Sequence, residues 1–167
     1  MQLETMQRIL IQMILKFKPN KMKQITLQQI RDLSPCYDPT KYLPENWKGT
    51  VIDILNVDDC PANDRLWVVL REEFIDAKTL RLFAVWCTRE ALRLIDNPDQ
   101  RSIEACNVSE RYANGEATDD ELSAAYSAAY SAAYSAARSA ADSAARYAAR
   151  SAAYSAQINQ LKIMLCK

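Results

Sequence analysis

Apolar residues at positions 3, 6, 10, 13 and 17, with others at 9, 11, 14 and 15, have the spacing of an amphipathic helix over residues 3–17. The run is too short to span a bilayer and includes Gln7 and Gln12; without a small-residue cleavage site it is not a signal peptide. It reads as a core or partner helix. Lys16, Lys18, Lys21 and Lys23 leave open a membrane-surface helix, and Met22 leaves open an extension ahead of a chain start. Further on, Thr26 is placed to cap a helix over 27–33, which Ser34-Pro35 ends. Residues 36–49 form a loop pinned by Tyr37, Tyr42 and Trp47. Thr50 and Asp53 make a capping box for 51–55, and Pro61 opens a helix that the apolar spacing carries to 74. Asp76 caps 77–95, where Leu80, Phe83, Trp86, Cys87 and Leu94 share one face and Leu82, Val85 and Leu92 a second. A helix apolar on two sides belongs in the core. Asn97-Pro98 opens the next helix and Asn114-Gly115 closes it; Thr118 and Glu121 then cap the last one.

No alternation of period two persists, so the predicted fold is all-α. It comprises an N-terminal extension (1–24), a small multi-helix domain (25–117) and one long Ala/Ser-rich C-terminal helix (118–167). Within that helix, residues 123–156 repeat a four-residue unit, SAAY or SAAR, with 17 Ala, 8 Ser and 5 Tyr and no large aliphatic side chain. Alanine favours helix and no Gly or Pro interrupts the run. On one uninterrupted helix a step of four residues advances about 400°, so each repeat position drifts about 40°. The drift gathers Tyr126, Tyr130, Tyr134, Tyr147 and Tyr154 on one side and Arg138, Asp142, Arg146 and Arg150 on the other. An uninterrupted helix over 118–166 would be about 70 Å long, more than a small domain covers. The tyrosine side either packs on its own domain or forms a surface for another subunit or a partner, and over such a length some of it is left free or meets another chain.

Charge alters this picture in one respect. The chain is neutral overall, yet residues 26–122 carry 11 positive and 19 negative charges, a net of −8, while 1–25 and 123–167 each net +4. An acidic centre argues against a nucleic-acid backbone as partner and suits a basic protein. Histidine is absent and the five cysteines are widely spaced, with no CxxC. This excludes Cys/His zinc sites and histidine-dependent nucleophiles, and points to a reducing, cytoplasmic setting in which Cys87 and Cys106 are small buried hydrophobes. With two glycines there is no phosphate-cradling loop, and adjacent carboxylates such as Asp119 and Asp120 diverge on a helix. No catalytic residue, metal site or cofactor is expected.

The segments RLFAVWCTREAL (81–92), ERYANGEATDDEL (110–122) and SAQINQLKIML (155–165) resemble the alanine-rich immunity-protein family of bacteria and their phages. ITLQQIRDLSPCYDP and DRLWVVLRE fit its phage-borne members; the likeness covers about 25–167 and leaves 1–24 unmatched. The resemblance implies a small cytosolic protein that neutralises a toxin or, from a phage, a component of host defence. It carries no functional residues over. Two functions follow as expectations. The first is a non-enzymatic inhibitor that binds a protein partner through Tyr126, Tyr130, Tyr134, Tyr147 and Tyr154, and self-associates through the long helix. The second is an oligomer that sequesters an anionic nucleotide-type ligand, with Arg138, Arg146 and Arg150 on phosphate and Tyr147 or Tyr154 stacked on a base.

Overall fold

A computed structural model describes residues 22–137 and 144–166, the side chains of 132–137 and 144–152 excepted. The described residues form seven α-helices and one two-residue antiparallel pairing. The elements are β1 (Ile25–Thr26), α1 (Leu27–Asp32), β2 (Lys48–Gly49), α2 (Val51–Leu55), α3 (Ala62–Val69), α4 (Ala77–Leu92), α5 (Gln100–Ala113), α6 (Asp119–Ala137) and α7 (Ala144–Leu165). The fold is all-α, with an Ala/Ser-rich helical C-terminal region after a small multi-helix domain.

Local chemistry sets most helix starts. Thr26 and Gln29 form a reciprocal capping box on α1, as do Thr50 and Asp53 on α2 and Thr118 and Glu121 on α6. Asp76 caps α4 by accepting from the Thr79 amide, and Asp99 caps α5 by accepting from the Arg101 amide. At the far end of α5, Gly115 takes φ +78°, the left-handed turn that a glycine supplies without strain. β1 pairs with β2, Ile25 opposite Gly49, and draws Trp47 over the glycine. A Cβ at Gly49 would lie 2.5 Å from the Trp47 ring, so this approach needs glycine.

Two helices stop short of the apolar pattern. α3 ends at Val69 rather than at 74, because Leu70 leaves helical geometry at ψ +65° and the chain folds back, burying Ile75 from a turn. Arg71 lies flat on the Trp67 ring at 4.5 Å, closing that turn. α4 ends at Leu92 rather than at 95, and Leu94, assigned to the core face by its spacing, is 82% exposed. Here the turn to the Asp99 cap overrides the hydrophobic period.

The core gathers Ile25, Leu27 and Ile30 with Val51, Ile54 and Leu55 of α2, Leu66, Val68 and Val69 of α3, and Phe83 of α4. Ile158 and Leu161 of α7 complete it, Leu161 with 0% exposure. Lys162 donates to Asn56 Oδ1 at 2.6 Å, fastening α7 to the end of α2.

This placement corrects the reach expected of the C-terminal region. An uninterrupted helix would set Leu161 about 60 Å from Asp119. Leu161 instead shares the core cluster with Leu80 and Phe83 of α4. Their neighbour Arg81 stacks on Tyr112, which bonds Asp119 at the start of α6. Both described ends of the region thus rest on one domain, and no rod of about 70 Å projects from it. Ile158, Leu161, Met164 and Leu165 drive this: each large apolar side chain buried contributes about 1.5–3 kcal/mol, which a solvated Ala/Ser rod forgoes.

Replacing Leu161 with Ala should lower the unfolding free energy by about 2–5 kcal/mol in urea titrations, whereas Tyr130→Ala should change it by no more than about 0.5. The Asp99 cap should be visible in the pH dependence of stability. Hydrogen bonds from the Arg101 side chain and amide hold its carboxyl at about 2, below its ordinary 3.8. Its contribution is complete above the unfolded value and is lost as pH falls from about 4 towards 2. Asp99→Asn should flatten the urea midpoint across that interval and leave its slope near neutrality unchanged.

Candidate binding groove

Helices α4, α5 and α6 pack side by side and leave an open groove of about 670 Å³ between them. α4 contributes Arg81, Ala84, Val85 and Thr88, and α5 contributes Ser102, Ala105, Cys106 and Ser109. Both sets follow the same spacing (i, i+3, i+4, i+7), one stripe of a helix surface. α6 adds Tyr126, Ser127, Ala129 and Tyr130. Ala and Ser let the backbones approach but cannot fill the junction of three helices, and the groove follows from that deficit of volume.

Polar contacts fix the geometry at one end and along one side. Tyr112 donates to Asp119 Oδ1 at 2.6 Å, and Arg111 donates to Glu121 at 3.0 Å and to the Glu116 carbonyl at 3.1 Å, holding the corner between α5 and α6. The bond to Asp119 raises the Tyr112 pKa, and the Thr118 amide and Arg111 lower that of Glu121. Arg89 donates to Glu110 at 2.6 Å and to Asn107 at 3.3 Å, joining α4 to α5. Since Tyr112 at the end of α5 meets both Arg81 and Asp119, α4 and α6 set out from the end of the domain at which α5 arrives.

The sequence-predicted residues distribute unevenly. Tyr126 and Tyr130 stand together on α6 along the groove, 51% and 75% exposed. Tyr154 is half-buried and packs against the core beside Ile158, so it serves its own domain. Tyr134 lies in α6 and Tyr147, Arg146 and Arg150 in α7, with side chains outside the described residues; Arg138 lies outside them altogether.

Sequence reasoning overlooked Arg81 and Ser109. Ser109 is 4% exposed, faces the groove, and is the buried polar residue among those described. The 81/84/85/88 and 102/105/106/109 stripes of small residues were the available signal. Cys106 forms the floor, and burial pushes its thiol pKa up; burial likewise raises Cys87 to about 11. The same cysteine lines a second depression of about 410 Å³ with Leu92, Ile95, Pro98 and Ile103, flanked by Arg89 and Arg93, towards the α4–α5 turn.

Among the described residues no group of three or more Cys, Asp or Glu side chains is placed to hold a metal ion, and no described helix is long and apolar enough to cross a membrane. Comparison of the chain with protein-family models, with curated proteins and with solved structures finds no match.

Thiol labelling of the native protein should separate the cysteines. Cys36 and Cys166 are exposed and should react at least about tenfold faster than Cys60, Cys87 and Cys106. Fast labelling of Cys106 would show the floor to be open to solvent.

Proposed function

We propose that the chain is a non-enzymatic binding protein that neutralises a protein partner. It does so by seating a helical segment of that partner in the groove between α4, α5 and α6. The observation that carries this reading is the pair of exposed phenol rings, Tyr126 and Tyr130, beside a groove floored by Ala84, Val85, Ala105 and Cys106. Tyrosine orders at low entropic cost and offers both apolar area and a hydroxyl, which makes it a frequent anchor at interfaces. Small residues on the floor allow the backbone of a partner helix to come close, as in other helix-in-groove complexes.

The exposed surface of α6 supports the same reading. Residues 123–137 carry no charge, although Ser123, Ala124, Tyr126, Ser127, Tyr130 and Ser131 are all exposed. A helix surface turned only to water normally bears ionised groups. The resemblance to immunity proteins makes the partner a toxin or a component of host defence, met in the cytoplasm. The nucleotide-type reading rests on Arg138, Arg146 and Arg150, whose side chains lie outside the described residues.

The test is site-specific photo-crosslinking in cells, with the reactive group placed in turn at 126, 130 and the exposed control Asp59, away from the groove. Adducts to one protein from 126 and 130, absent from 59, are expected. The double variant Tyr126→Ala/Tyr130→Ala should lose at least about tenfold in affinity for that protein while keeping its urea midpoint. A partner retained by the double variant, or captured equally from position 59, would overturn the proposal.

A further inference from the structure

Of the described residues lining the groove, Arg81 alone is charged. Its guanidinium stacks on the Tyr112 ring at 4.7 Å, and no carboxylate among the described residues pairs with it. By contrast, Arg89 and Arg111 on the same helices are paired, with Glu110 at 2.6 Å and Glu121 at 3.0 Å. A cation–π contact satisfies none of the guanidinium's five N–H donors. Ser109 lies one turn before Tyr112, at the same end of the groove, and lines it although the residue as a whole is 4% exposed. The groove therefore has a polar pole, Arg81 with Ser109, and an apolar body that runs from it past Tyr126 to Tyr130.

Any occupant that covers this groove removes water from both groups. An unpaired buried cation and an unmade hydroxyl bond each cost free energy, so an occupant without an acceptor at that end is selected against. We infer that the partner helix carries an aspartate or glutamate at one end of its apolar face, and that this carboxylate is held by the Arg81 guanidinium and the Ser109 hydroxyl. A single carboxylate matches a single cation. A phosphate or polyanion would bring further negative charge to a domain whose residues 26–122 already net −8. The inference rests on the docking proposed above.

The probes are 4-phenylbutyrate and its uncharged isostere 4-phenylbutanamide, followed through amide NMR shifts of Ala105, Cys106 and Ser109 on the full chain. Fragments of this size bind at about millimolar Kd. The acid should bind about five- to tenfold tighter than the amide, and Arg81→Gln should make the two equal. Arg81→Lys, which keeps the charge if the glutamine variant is unstable, should retain a preference for the acid. Tyr126→Ala/Tyr130→Ala should weaken both compounds alike. Equal affinity of acid and amide for the unaltered protein would overturn the carboxylate assignment and leave groove docking standing. Shifts at none of the three residues would overturn docking itself. A Kd for the acid below about 10 µM would identify a free small acid as occupant and overturn the assignment to a partner helix.

Discussion

Burial of Ile158 and Leu161 between α2, α3 and α4 is the constraint on which the rest of the architecture depends. The first five helices are short or only partly apolar, and α1 to α3 leave one side of their cluster uncovered until α7 arrives. The Lys162–Asn56 bond fixes how α7 lies across them. With α7 seated there, none of the described side chains of α6 belongs to the main core. The helix packs instead on α5, where Ala105, Ser109 and Cys106 meet the Ala/Ser repeat. The C-terminal region thus divides its labour: one helix completes the domain and the other furnishes a surface.

That surface inherits its character from the size of its side chains. Alanine and serine bring helices together without the interdigitation that fills a Leu- or Phe-rich interface, so close approach and incomplete filling arise from the same composition. Tyr126 and Tyr130 of α6 stand along the groove with much of their surface exposed and leave it unfilled. The groove is in this sense built into the small residues that line it, and larger side chains at Ala105 and Ala129 would narrow it. The Arg81–Tyr112–Asp119 contact closes one end, so the channel has a direction, polar where α5 meets α6 and apolar towards Leu92 and Ile95.

Local signals in the sequence were reliable and global ones were not. The caps at Thr26, Thr50, Asp76 and Thr118 and the stop at Asn114-Gly115 depend on residues within four positions of one another, and each was legible. The boundaries of α3 and α4 were not, because apolar periodicity continues through Phe74 and Ile95 while turn geometry ends the helices earlier. The angular drift of the repeat placed Tyr126, Tyr130 and Tyr154 on a common side of a single axis. The structure gives the first two to a groove and the third to the core, because Ile158 and Leu161 outweigh the helical preference of the alanines that precede them. The groove was visible only as two matching stripes of small residues, which means nothing until the helices bearing them are known to be neighbours.

The position of Leu161 has a consequence for biogenesis. Its partners Leu55, Val69 and Phe83 are synthesised about eighty to a hundred residues earlier, and their apolar faces stay uncovered while the ribosome works through the whole alanine-rich tract. Closure of the core therefore waits until α7 has been made, and a nascent chain interrupted inside the repeat would be a substrate for chaperones and proteases rather than a shorter functional protein.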